Sequence, residues 1–200
     1  MPRPFADQER ELLRRKLVLL ARRRIEESGI RAMSIEDLTR QVGISKGAFY
    51  LLYDSKDALV MQVLGEAETE VRDRLLAVAA DRSADPTTLS TRVVREIFEV
   101  MGGHPVLALL ADPEEGAHIW RMVPPEDMEA RMTDDDAWFA TLTAGLRSEG
   151  VFGPDVSDDT LAAIARLSLA VARDPDLNRH PDLPELLVQA LGAHLSGGRK

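Results

Sequence analysis

No cysteine occurs anywhere in the 200 residues. Its absence removes a disulfide framework, a thiolate metal site and a cysteine nucleophile together. Long apolar runs are missing as well: none approaches the roughly 20 residues that span a bilayer, and the N-terminus has no uninterrupted signal-peptide core. A cytoplasmic protein without membrane contact is the expectation. Internal repeats and long low-complexity stretches are lacking, and residues 196–200 read as a disordered tail. There is no HExxH helix, EF-hand loop, P-loop or Gly-x-Gly-x-x-Gly turn. His104 and His118 lie among Asp112, Glu114 and Glu115, and Asp134, Asp135 and Asp136 form a carboxylate run. Their spacing suits helix caps and solvated loops better than metal ligation or acid-base chemistry, so neither a metal nor a cofactor is expected. Gly43 to Gly47, GISKG, has the letters of a nucleophile elbow, but that turn needs a strand before its serine and here a helix precedes it. The chain does not read as an enzyme.

What is present is a helical rhythm. With 44% apolar residues the chain can bury a substantial core, best arranged as a small domain attached to a larger one. Periodicity predicts an all-α fold, with helices over about residues 6–28, 35–42, a short one after 45, then 55–80, 87–101, 105–110, 113–122, 125–148, 157–172 and 183–195. The breaks between them fall at Asp85-Pro86, Gly102-Gly103, Pro124-Pro125, Gly150 with Gly153-Pro154, and across 174–184. In the first helix Leu13, Leu17, Leu20, Ala21 and Ile25 form the packing stripe. Arg10, Arg14, Arg15, Lys16, Arg22, Arg23 and Arg24 read as a solvated face.

Residues 34–56, SIEDLTRQVGISKGAFYLLYDSK, carry the functional signal. Ile35, Leu38 and Val42, then Ile44, Phe49 and Leu52, recur at helical intervals on either side of Gly43. Ser34 with Asp37 three residues on makes a capping box with Asp for the usual Glu. Gly43 supplies the left-handed residue that a sharp reversal requires, and Ser45 caps a second short helix. Phe49, Leu52 and Tyr53 fall on its inner side, while Lys46 and Tyr50 share another face. On that face Gly47 and Ala48 let the backbone approach a partner, Lys46 brings charge, and the Tyr50 hydroxyl can donate to a phosphate. A helix-turn-helix places such a second helix in the major groove of DNA. The same letters also suit an ordinary helix pair, or an interaction module that contacts protein.

The segment 43–59, GISKGAFYLLYDSKDAL, resembles the signature of the TetR family of transcriptional regulators, Gly-x-Ser-x-Gly-x-x-Tyr followed by Ser-Lys-x-x-Leu. Gly43, Ser45, Lys46, Gly47, Tyr50, Ser55, Lys56 and Leu59 stand where that pattern puts them. The resemblance covers about the first third of the chain. It implies a three-helix DNA-binding domain over residues 1–54 and a helical ligand-binding and dimerisation domain over 55–200. A homodimer would bind a near-palindromic double-stranded operator, act as a repressor, and be released by a small-molecule effector. Ser34, Thr39, Ser45, Lys46, Gly47, Ala48, Tyr50, Leu51 and Lys56 become the candidate DNA-binding residues, Lys56 at the anion-attracting start of the next helix.

This chain departs from the pattern at Met33, where many relatives have Thr, at Ala48, again for Thr, and at Leu51 and Leu52, where polar or Tyr residues are common. Two readings of Leu51 stay open: contact with a thymine methyl, as Ala48 could also make, or a surface or domain-seam leucine. Candidate effector contacts are Phe98, Met101, His104, His118, Trp120, Met122, Trp138 and Phe139, although such residues more often pack a core. Candidate dimer contacts are Leu161, Ile164, Leu167, Ser168, Val171, Leu187, Ala190, Leu191 and His194, whose stripes serve a domain core equally well. Charge divides along the chain: residues 1–56 hold 12 Lys or Arg against 8 Asp or Glu, and the rest 13 against 26. Phosphates would attract the first part and repel the second.

Overall fold

The computed structural model describes residues 7–197, without the side chains of Pro125, Glu126, Met128 and Asn178. The expected start of the first helix at Ala6 and the last three residues of the expected disordered tail lie outside the described residues. Ser196 and Gly197 form a turn. The fold is all-α, with no strand among the described residues.

Helix α1 runs over Asp7–Ala32 and buries Leu13, Leu17, Val18, Ala21 and Ile25 on one stripe; Leu20 sits half-buried at its edge. Gly29 interrupts it at φ 80, ψ 170, a conformation closed to residues with a Cβ, so the regular helix stops near residue 28, the end its span was expected to have. Helices α2 (Ile35–Val42) and α3 (Lys46–Tyr50) follow, then the long α4 (Lys56–Ala79).

Next come α5 (Pro86–Gly103), α6 (Pro113–Met122), α7 (Pro125–Ser148), α8 (Thr160–Arg173) and α9 (Leu183–Leu195). Asp85 opens α5 by accepting from the Thr87 and Thr88 amides, and Asp112 opens α6 by accepting from Glu114 and Glu115. The glycine pair Gly102-Gly103 does not stop α5; it ends one residue later at His104, which precedes Pro105 and is extended (ψ 120). Residues 105–110, expected as a helix, hold a 3-10 turn, Leu107–Leu110. Helix α8 begins at Thr160 and not at 157, because the Ser157 hydroxyl engages the Asp159 carboxylate and the Thr160 amide closes a turn on the Ser157 carbonyl at 3.1 Å.

The chain forms two compact units, one ending at Glu68 and one beginning at Thr69. The sequence reading placed the first boundary at residue 54. The first turns of α4 bury Leu59, Val60, Val63 and Leu64, and Gln62 accepts a hydrogen bond from the Tyr53 hydroxyl at 2.7 Å. That half of α4 therefore completes the N-terminal core.

In the C-terminal unit α5 is central and packs on both α8 and α9. Its crossing with α9 is close. The buried Ser90 hydroxyl donates to the Gly192 carbonyl at 2.8 Å, and a Cβ on Gly192 would lie 2.5 Å from the Thr91 Cα. At the rim of the crossing Arg95 grips Glu185 through two contacts of 2.5 and 2.8 Å, which hold that carboxyl down to about 2.

Candidate nucleic-acid interface

The reading segment is shaped by three local devices. The Ser34 hydroxyl accepts from the Asp37 amide at 3.5 Å to open α2, while the Asp37 carboxylate pairs with Arg40 at 2.9 Å and does not complete the reciprocal box. Gly43 closes α2 in the left-handed region (φ 80, ψ 31), and its amide and that of Ile44 both reach the Thr39 carbonyl. Ser45 then opens α3 by accepting from the Ala48 amide at 3.1 Å. The two serines thus spend an oxygen lone pair on the fold.

Helix α3 and the turn that follows it sort their side chains as the periodicity requires. Phe49 is fully buried, Leu52 and Tyr53 nearly so; Lys46, Gly47, Tyr50 and Leu51 are exposed, and Ala48 is half-buried. Tyr50 packs edge-on against Phe49 with ring centroids 5.3 Å apart and is still 46% exposed. The Lys46 ammonium makes no hydrogen bond or ion pair among the described residues. Lys56 is half-buried, its ammonium 3.5 Å from the Arg31 carbonyl, and the Ser55 hydroxyl caps α4 by accepting from Ala58 at 3.0 Å. Thr39 does not join the exposed set. It is buried, and its hydroxyl donates to the Glu36 carbonyl at 3.0 Å.

Two residues that the sequence left on a solvated face are drawn into the site. Arg14 reaches back from α1 to donate to the Leu52 carbonyl at 2.8 Å, with its guanidinium 5.4 Å from the centre of the Tyr53 ring. Arg10, one turn earlier, donates to the Leu51 carbonyl at 3.3 Å. These arginines satisfy carbonyls at the end of α3 that the short helix leaves open. Their i, i+4 spacing was visible, but their target is about forty residues away in sequence.

This head matches known proteins. Residues 17–63 fit the family model described as bacterial regulatory proteins, tetR family. The family resemblance is thus carried by the N-terminal head, residues 17–63. It is similar to the HTH-type transcriptional regulator EthR of Mycolicibacterium smegmatis, 25% identical over 92 residues, which cover 46% of this chain and 42% of that protein. The match thus spans less than half the length of that relative. In fold it is similar to a TetR-family transcriptional regulator from Pectobacterium atrosepticum (TM-score 0.69, 22% identity, covering 94% of this chain and 97% of that one). It also resembles reduced NemR of E. coli (TM-score 0.65, 14% identity, covering 92% and 96%).

In the C-terminal unit the candidate effector contacts differ in burial. Phe98 and His104 are buried, Trp120 is exposed, and Met101, His118, Met122, Trp138 and Phe139 are intermediate. His104 caps the end of α5: its Nδ1 accepts from the Leu107 amide at 3.3 Å and its Nε2 lies 3.5 Å from the Glu70 carboxylate. A cleft of about 270 Å³ opens between the second half of α4 and the end of α7, lined by Leu76, Ala79, Ala80, Trp138, Leu142 and Leu146 with Arg82 and Glu149 beside them. Of the candidates, Trp138 lines it, with the Arg72 guanidinium 5.4 Å from its ring centre.

The dimer candidates divide too. Leu161, Ile164, Ser168 and Val171 are buried within their own unit; Leu187 and Leu191 are half-buried; Leu167, Ala190 and His194 are exposed, as is Leu186. Among the described residues no group of three or more His, Asp or Glu is placed to hold a metal ion, and no helix is long and apolar enough to cross a membrane.

Proposed function

We propose that this chain represses transcription as a homodimer that binds a near-palindromic operator through α3 and is released by a small-molecule effector. The observation that carries the reading is the division of α3 and the turn after it: a buried anchor of Phe49, Leu52 and Tyr53 behind an exposed face of Lys46, Gly47, Tyr50 and Leu51. Lys56 supplies charge for phosphate, Lys46 reaches toward base edges, Tyr50 and the capping serines supply hydroxyl donors, and Gly47 and Ala48 keep the approach clear. Two copies would set two heads on half-sites about one helical turn apart or a multiple of it. The outward Leu167, Leu186 and Ala190 of α8 and α9 support self-association. The α4–α7 cleft, apolar with an aromatic wall, is the place in the C-terminal unit best suited to an effector.

The test is titration of the full-length protein onto DNA from upstream of its own gene and onto random duplex, at increasing salt. Cognate binding is expected to weaken on the order of a thousandfold between about 50 and 200 mM salt. Lys56→Ala is expected to weaken cognate and random DNA alike, and Lys46→Ala to change their ratio. Salt-independent affinity, or equal loss on both duplexes from every α3 substitution, would overturn the assignment.

A further inference from the structure

The geometry points to Leu51 as a reader of the thymine C5-methyl group, fixing a T·A pair in each half-site by apolar contact. The inference rests on the operator binding proposed above and deepens it. Leu51 is 55% exposed, so it is not a packed side chain, while the adjacent Leu52 and Tyr53 are buried. Its backbone is held on both sides: the amide donates to the Ala48 carbonyl at 3.2 Å and the carbonyl accepts from Arg10 at 3.3 Å. The side chain therefore projects from a fixed point.

Gly47 and Ala48 lie four and three residues before it and share its face. Space there is open, since a Cβ built on Gly47 would meet only the Ser45 hydroxyl, at 3.8 Å. Chemistry then selects the partner. Phosphates, sugars and most base edges in the major groove are polar, and the apolar group the groove displays is the thymine methyl. A leucine flanked by Tyr50 and brought in with Lys46 meets one surface on DNA that matches it.

Removing that methyl tests the idea without touching a hydrogen bond. An operator selected by the full-length protein from a random-sequence pool is resynthesised with each thymine replaced in turn by deoxyuridine. At one symmetry-related position per half-site the replacement is expected to cost roughly fourfold in affinity, the worth of one buried methyl. In Leu51→Ala, whose helicity is checked by circular dichroism, thymine and uracil at that position are expected to bind equally; Leu51→Met should retain the preference. Specific binding with no uracil-sensitive position, or the same sensitivity in Leu51→Ala, overturns the role of Leu51 and leaves operator binding intact. Sensitivity lost in Ala48→Gly but kept in Leu51→Ala assigns the methyl to Ala48 instead. Failure of the pool to yield any sequence bound above random duplex defeats the operator reading itself, and this inference with it.

Discussion

Tyr53 sits behind the reading face, and its ionisation is coupled to the integrity of that face. Burial pushes its pKa up from 10.0 to about 12, although the Arg14 cation pulls the other way. Because the folded value exceeds the unfolded one, neutral Tyr53 contributes its full stability below pH about 10, and that contribution is lost as pH rises through about 12. The chain has two tyrosines, so Tyr50→Phe isolates the signal of Tyr53. An alkaline absorbance titration of that variant should show tyrosinate forming near pH 12, together with loss of helicity. Ionisation near 10 with the helices intact would contradict the burial of this ring. Thr39 and His104 teach the same residue-scale lesson from the other side. Each was a polar candidate for contact with a partner, and each is buried with its polar atom serving the chain itself. Type and spacing show that a hydroxyl or imidazole is present; burial, which depends on distant segments, decides what it does.

Among the elements, α2 and α3 were the most legible in sequence, because Ser34, Gly43 and Ser45 each act within four residues of their own position. Helices α8 and α9 were legible as helices but not as surfaces: their apolar residues face both ways, and periodicity names a stripe without saying what covers it. The contacts from α1 to the end of α3 were not legible at all, since nothing local marks Arg14 as a partner of the Leu52 carbonyl. That contact makes α1 a brace for the short α3. Arg14→Met keeps the apolar stem and removes the charged donor. The amides of Leu51, Leu52 and Tyr53, which bond to the Ala48 and Phe49 carbonyls, are then expected to exchange roughly tenfold faster, and DNA affinity to fall for every sequence alike. Unchanged exchange protection would show that α3 stands without its brace.

Over the whole chain, the division of charge gives the proposed repressor an orientation: residues 1–56 are net basic and the remainder strongly acidic. The sequence exposed this division, together with the all-α fold and the TetR-like head, while the boundary between units depended on which half of α4 is needed to close the first core. Self-association is the property on which an operator-binding role turns at this scale. Leu186 is 65% exposed and Leu167 39%, which makes them the large apolar groups to charge. The double variant Leu167→Glu, Leu186→Glu is expected to sediment as a monomer at concentrations where the unsubstituted protein is a dimer. A variant that remains dimeric would place the interface elsewhere, and an unsubstituted monomer would remove it.

The two compact units meet within α4, between Glu68 and Thr69, where the chain is still helical. Proteases bind their substrates as extended strands, and helical backbone has to unwind before it can be cut. The boundary at residues 68–69 is thus a poor nicking site, and limited digestion should be slow to cut there and liberate the head from the body.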